Sequence, residues 1–332
     1  MTAAIAGSAT SEQDWRHAAT MIRQSRGIVL ITHRNPDGDG IGSQLALYDA
    51  LAAAGLPVSM HNRDGVPRLY RFLAGAERVG AGEHCPALDV ADLVISLDAG
   101  ARSRLGMDDA FFAGRHLINI DHHASNTRFG DINLVDAAAC STGALAYALI
   151  RHMGLPLSRD AAMAVYVTLL TDTSSFRMST VTPAVHRLAA ELIEAGAEPA
   201  TAARNIYASH RPQRVALLRR CLETLALRNG GRSAWLHVDE AMYADTASDV
   251  EDTEGLIDYG RAIDGVEVAV FVRPDEQGSW KVSFRSKATA DVGALAASLG
   301  GGGHRYASGC TLQGSLDAVM RRLQTEVDRL FP

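Results

Sequence analysis

Thiols are scarce in this chain. Its 332 residues hold four cysteines, Cys85, Cys140, Cys221 and Cys310, and no two of them form a C-x-x-C pair. That spacing speaks against a thiolate zinc site, offers no disulfide framework and suits a reducing cytoplasm. Positive charge is not in excess either. Lys and Arg number 32 against 38 Asp and Glu, a formal net charge of −6. This argues against a broad basic face that grips long nucleic acid, and leaves room for a short or small anionic substrate at one local cationic site. No apolar run reaches the about 18 residues of a membrane span. Met1 to Thr10 has no basic residue and no apolar h-region, so it reads as a frayed tail on a soluble protein. Internal repeats and low-complexity segments are absent as well.

What is present is an ordinary globular balance, 47% hydrophobic and 21% charged residues, at a length that suggests two domains. Short apolar runs at Gly27 to Thr32, Pro57 to His61, Asp92 to Leu97 and His116 to Ile120 alternate with helical patterns such as Ile41 to Ala54. Such alternation implies a doubly wound, mainly parallel α/β sheet. Ser141 is placed to cap a helix running to about Met153. The apolar run Ala161 to Thr171 is either a helix or a buried strand, and a further helix begins at Thr182-Pro183. From about Glu198 to Arg228 the chain looks helical and arginine-richer. Strand-like runs then follow at Ser233 to Val238, Val266 to Val272 and Trp280 to Arg285. The division expected is residues 1–195 as a metal-binding catalytic domain, 196–215 as a helical linker and 216–332 as a smaller α/β domain.

The chemistry gathers at strand ends. The first run leads into His33-Arg34-Asn35-Pro36-Asp37-Gly38-Asp39, the third ends on Asp98, the fourth on Asp121-His122-His123, and the run before residue 172 delivers Asp172. In an open parallel sheet the strand C-termini share one edge, so these groups can meet. Alone, Pro-Asp-Gly-Asp-Gly would be an ordinary turn, and Asp98 or Asp172 an ordinary cap. Together, Asp37, Asp39, Asp98 and Asp172 beside His33 and His122 would repel one another unless cations lay between them. Two divalent ions balance four aspartates. Oxygen and imidazole donors without thiolate suit Mn²⁺ first, with Mg²⁺, Co²⁺ or Fe²⁺ as alternatives. A pair of ions sharing Asp98 and a water would serve in-line phosphoester hydrolysis.

The ordered motifs His33-x-x-Pro36-Asp37-Gly38-Asp39-x-x-Gly42-Ser43, Leu97-Asp98, Asp121-His122-His123 and Thr171-Asp172-Thr173 resemble those of the DHH phosphoesterases. Within them the nearest type is the stand-alone nanoRNase/pAp phosphatase with a DHH-associated C-terminal domain. The resemblance implies that His33, Asp37 and Asp98 hold one metal, and that Asp39, Asp98, His122 and Asp172 hold the other. It implies that His123 faces the substrate phosphate, that Asp121 orients a ligand histidine, and that the active site lies between the two domains. Arg285, Ser286, Gly301, Gly302, Gly303 and His304 resemble the family's substrate segment. There Arg285 and His304 would contact a terminal phosphate, while the glycines let backbone N–H groups approach the nucleotide. One departure is Ser174, where many relatives have glycine; a small effect on the loop is expected. Arg104 reads as a surface residue that could add charge at the site.

The activity so implied is hydrolysis of short oligoribonucleotides to 5′-mononucleotides, with 3′-phosphoadenosine 5′-phosphate as a further substrate. Phosphodiesterase action on a cyclic or linear dinucleotide is the alternative, ahead of inorganic pyrophosphatase and a non-catalytic nucleotide sensor. Expected partners are short RNA or small nucleotides, with neither long duplex nor membrane, and a homodimer is allowed.

Overall fold

The computed structural model describes residues 10–275, 278–287 and 290–331, and the chain divides into two units after Ser209. The frayed tail expected at the start, apart from Thr10, lies outside the described residues. The first unit carries strands β1 (Ile28–Thr32), β2 (Val58–Asn62), β3 (Gly80–Ala81), β4 (Leu93–Leu97), β5 (His116–Asp121) and β6 (Ile132–Val135). They form one parallel sheet in the order β3-β2-β1-β4-β5-β6. β1 and β4 are buried at every residue, as strands covered on both faces must be. The order reverses direction between β1 and β4, and that switch point is where an open α/β sheet leaves a crevice beyond its strand C-termini. Register completes the placement. Thr32 lies beside Leu97 and Leu97 beside Ile120, so the residues that follow emerge together.

The helices of this unit are α1 (Glu12–Gln24), α2 (Gly38–Ala53), α3 (Asp109–Phe112), α4 (Thr142–His152), α5 (Arg159–Asp172), α6 (Pro183–Glu194) and α7 (Pro199–Tyr207). α2 packs on both α4 and α5, and each of its residues from Gly38 to Leu47 is buried. Two glycines let α2 and α4 close on α5. A Cβ on Gly42 would stand 2.6 Å from Ala164 O, and one on Gly143 would stand 2.1 Å from Thr168 Oγ1. α2 begins three residues before the apolar periodicity does, because the Asp37 carboxylate accepts from Asp39 N and Gly40 N and starts the helix itself. The run at 161–171 is helical, entered through Ser158, whose hydroxyl accepts from Ala161 N at 3.0 Å.

The stretch from 198 to 228 is not one helix. Pro199 and Pro212 each open a new one, since proline fits the first turn and no later one. The second unit contains α8 (Pro212–Glu223), β7 (Ala226–Arg228), β8 (Ser233–His237), α9 (Glu240–Thr246), α10 (Ile257–Arg261), β9 (Val268–Pro274), β10 (Ser279–Ser286), α11 (Val292–Ser298), β11 (Gly302–His304), β12 (Ala307–Gln313) and α12 (Leu316–Asp328). Its sheet runs β11-β12-β10-β9-β8-β7, mixed because β8 and β9 are parallel and the other pairs antiparallel. Trp235, Phe284, Val282 and Leu323 fill its core. Among the described residues no helix is long and apolar enough to cross a membrane.

Candidate metal centre

Three strand ends and two helix ends supply the site. His33 follows β1, Asp98 follows β4, and Asp121 closes β5 with His122 and His123 behind it. Asp37 and Asp39 belong to the start of α2, and Asp172 is the last residue of α5. His33, Asp37 and Asp98 bring one ligand atom each within 4.8 Å of one another, and so do Asp39, His122 and Asp172. Asp98 lies between these groups with its oxygens divided. Oδ2 is 3.5 Å from His33 Nε2, while Oδ1 is 3.9 Å from His122 Nε2 and 3.8 Å from His123 Nδ1.

Both outer histidines are oriented through Nδ1. That of His33 lies 2.8 Å from Arg34 O and that of His122 lies 3.1 Å from Ala139 O. Donation from Nδ1–H leaves each Nε2 lone pair facing carboxylates, which is how metal-binding imidazoles are usually held. His122 Nε2 stands 3.4 Å from Asp172 and 3.5 Å from Asp39, longer than the charge-assisted hydrogen bonds of about 2.7–2.9 Å. Buried carboxylate and imidazole donors around two such gaps fit hard divalent cations.

The start of α4 anchors Asp39. Thr142 N and Gly143 N donate to its oxygens at 2.7 and 3.0 Å, and Thr142 Oγ1 donates to Asp98 Oδ1 at 3.1 Å. A helix N-terminus thus meets a carboxylate that is almost wholly buried. Sequence reasoning located this helix start but not its target. Asp98 has φ +59°, a left-handed conformation that aspartate tolerates better than most residues.

Exposure marks the open side. Asp39 and Asp98 side chains are 1% and 3% exposed, whereas Asp37 reaches 50% and His123 21%. His123 Nδ1 pairs with Asp121 Oδ1 at 2.7 Å. The histidine that hydrogen-bonds to Asp121 is thus His123, while His122 feels the same carboxylate as a nearby charge.

Charge without cations is poorly balanced here. Burial and the neighbouring Asp98 and Asp172 push Asp39 well above the ordinary carboxylate range. Burial, then Asp98 and Asp37, carry Asp172 up to about 6 against the pull of His122. Burial opposes charge on His33, yet Asp37 and Asp98 outweigh it and raise the imidazole to about 10. Below those values the groups hold protons that a cation must displace, so divalent-metal affinity should rise with pH. Calorimetric titration at pH 7.5 in buffers of different ionisation enthalpy should show net release of at least about one proton. Zero release would contradict this placement of charge.

Arg104 is exposed, and its carbonyl, which accepts from Arg34 N at 2.8 Å, is what meets the site loop. Ser174 adopts φ +49°, a conformation glycine takes without cost. In the second unit Arg285 is half-buried on β10, with Nη1 donating to Phe284 O at 3.0 Å. Ser286 Oγ accepts from Ala290 N at 3.3 Å. Gly301 and Gly303 lie against β12, where a Cβ would meet Gly309 O at 2.1 Å and Ala307 O at 2.7 Å. Gly302, between them, faces open space. Two of the three glycines therefore serve strand packing, and His304 ends β11 beside them.

A parallel sheet with paired aspartates and histidines on either side of one shared carboxylate is the body of a phosphoester hydrolase. Residues 27–169 match the model of the DHH family, N-terminal domain, and residues 240–331 that of the DHHA1 domain. The bifunctional oligoribonuclease and PAP phosphatase NrnA of Thermus thermophilus is 35% identical over 323 residues, 96% of this chain and 95% of that relative. Its namesake in Bacillus subtilis is 28% identical over 313 residues, 90% and 94% of the two chains. An exopolyphosphatase-related protein from Bacteroides fragilis shares the fold, with TM-score 0.89 over 98% of each chain at 24% identity. The chain belongs to the DHH family.

Proposed function

We propose that this protein hydrolyses short oligoribonucleotides to 5′-mononucleotides and removes the 3′-phosphate of 3′-phosphoadenosine 5′-phosphate. The observation that carries the reaction class is Asp98, with one oxygen turned to His33 and the other to His122. Support for the substrates comes from the near full-length likeness to the two relatives whose names state them. Both substrates break the same kind of bond, from phosphorus to a ribose 3′ oxygen, so a single arrangement of groups serves both.

His33, Asp37 and Asp98 would hold one divalent cation, and Asp39, Asp98, His122 and Asp172 a second, with Mn²⁺ the ion their donors suit best. When bound, such cations supply Lewis acidity, polarising phosphate oxygens and making water nucleophilic at neutral pH. His123, held by Asp121 on the open side, gives its proton to the departing 3′ oxygen as the P–O bond breaks. The water that adds to phosphorus yields the proton that restores the imidazolium. Arg285 and His304 hold a substrate phosphate, with the open backbone at Gly302 beside them. Four buried cysteines, none in a disulfide, support a cytoplasmic setting.

Mn²⁺-supplemented assays on dinucleotides, longer oligoribonucleotides, 3′-phosphoadenosine 5′-phosphate, cyclic dinucleotides and pyrophosphate test the reading. The first three should turn over, with kcat/KM falling as chain length grows. Preference for a cyclic dinucleotide or for pyrophosphate would replace this assignment. Arg285→Ala should raise KM about tenfold, roughly 1.4 kcal/mol of binding, and leave metal content unchanged. Loss of bound metal in that variant would count against a substrate role.

A further inference from the structure

Loop 123–128 carries a side chain that the reaction above does not use. Asn126 is half-buried and its amide is committed on both sides. Nδ2 donates to Asp121 Oδ2 at 2.5 Å and to Asn119 Oδ1 at 2.7 Å, with Ala99 O farther off at 3.3 Å. Oδ1 accepts from Arg128 N at 2.6 Å. Arg128 takes φ +51°, a left-handed conformation uncommon for arginine, in presenting that N–H. Thr127 N donates to Gly100 O at 2.8 Å, so the loop is tied to the segment that follows Asp98.

Asp121 is fully buried and its two oxygens have different partners: Oδ1 meets His123 Nδ1 and Oδ2 meets Asn126. A carboxylate held at one oxygen can still turn about its terminal torsion, whereas one held at both fixes the plane of the imidazole it binds. We infer that Asn126 is a positioning residue for catalysis, fixing through Asp121 the direction in which His123 presents Nε2 to the leaving oxygen. This rests on the reading of His123 as the proton donor.

The test uses the full-length, Mn²⁺-loaded protein. Asn126→Asp keeps the shape and the acceptor for Arg128 N but sets a carboxylate against Asp121. Asn126→Ala removes both contacts. Each should lower kcat on a dinucleotide by about 10- to 100-fold, the range typical of lost orienting partners, with KM and bound metal unchanged. On a p-nitrophenyl ester of a 5′-nucleotide, whose phenolate departs without needing a proton, the loss should shrink to about threefold or less. An equal loss on both esters, or full activity on the dinucleotide, overturns the inference. His123→Asn separates the two levels. If it lacks the split between leaving groups, the reading of His123 fails. If it shows the split and the Asn126 variants do not, only the role of Asn126 falls.

Discussion

Asp98→Asn silences hydrolysis, by about 1,000-fold or more, which corresponds to roughly 4 kcal/mol of barrier. The substitution is chosen so that little else changes. Asparagine has the same outline and accepts the left-handed backbone that residue 98 adopts at φ +59°, and its carbonyl oxygen can keep the 3.1 Å contact from Thr142 Oγ1. What it loses is one negative charge and the second acceptor oxygen, the two properties that let one side chain face both His33 and His122. The metal-free variant eases repulsion on Asp39 and Asp172 but gives up the attraction of His33, which holds the Asp98 carboxyl below its ordinary range, so its melting temperature without metal should not exceed the parent's. Mn²⁺ should raise the melting temperature of the parent and leave that of the variant nearly unmoved. A variant that keeps more than about a tenth of the activity, or an undiminished shift with Mn²⁺, would remove Asp98 from its shared position.

His123→Asn is the second large effect, a fall in kcat of about 100- to 10,000-fold, the range expected when a positioned proton donor is lost. Asparagine is the informative replacement, since its amide can stand where Nδ1 stands and keep a donor for the buried Asp121. Only the Nε2 end disappears. Burial lowers the affinity of His123 for its proton, but the Asp121 hydrogen bond and charge, with Asp98, outweigh it and hold the imidazole above its ordinary range. The sign follows. The donor keeps its charge to higher pH than a free imidazole does, and kcat of the parent should fall as pH rises through that elevated range. Metal content should stay at the parent's level in the variant, and its residual rate should lack the alkaline fall. A variant of unchanged kcat would deny His123 any part in the reaction.

Much of this site was legible because its residues sit where apolar runs stop. Thr32 and Leu97 end buried strands and Ile120 is the last apolar residue of a third, and parallel pairing of those strands brings His33, Asp98 and Asp121 to one edge. Residues 161–171 resisted assignment for a physical reason. α5 is apolar on nearly every side because α2, α4 and α6 pack around it, which removes the amphipathic period that separates helix from strand. The Thr142–Gly143 anchor was invisible in the sequence, since its partner Asp39 lies about a hundred positions away. The glycines before His304 have a second use that the sequence did not show. Backbone room suggested nucleotide contact, but a short antiparallel strand needs the same room at Gly301 and Gly303.

In the proposed reaction water attacks phosphorus and the bond to the 3′ oxygen breaks. Hydrolysis of a diribonucleotide and of 3′-phosphoadenosine 5′-phosphate by the Mn²⁺-loaded protein in H₂¹⁸O tests it most directly. One labelled oxygen is expected in the 5′-phosphate of the released mononucleotide or in the released inorganic phosphate, and none in the ribose 3′-hydroxyl. Label in that hydroxyl, or release of a 3′-phosphate or a 2′,3′-cyclic phosphate, would contradict it.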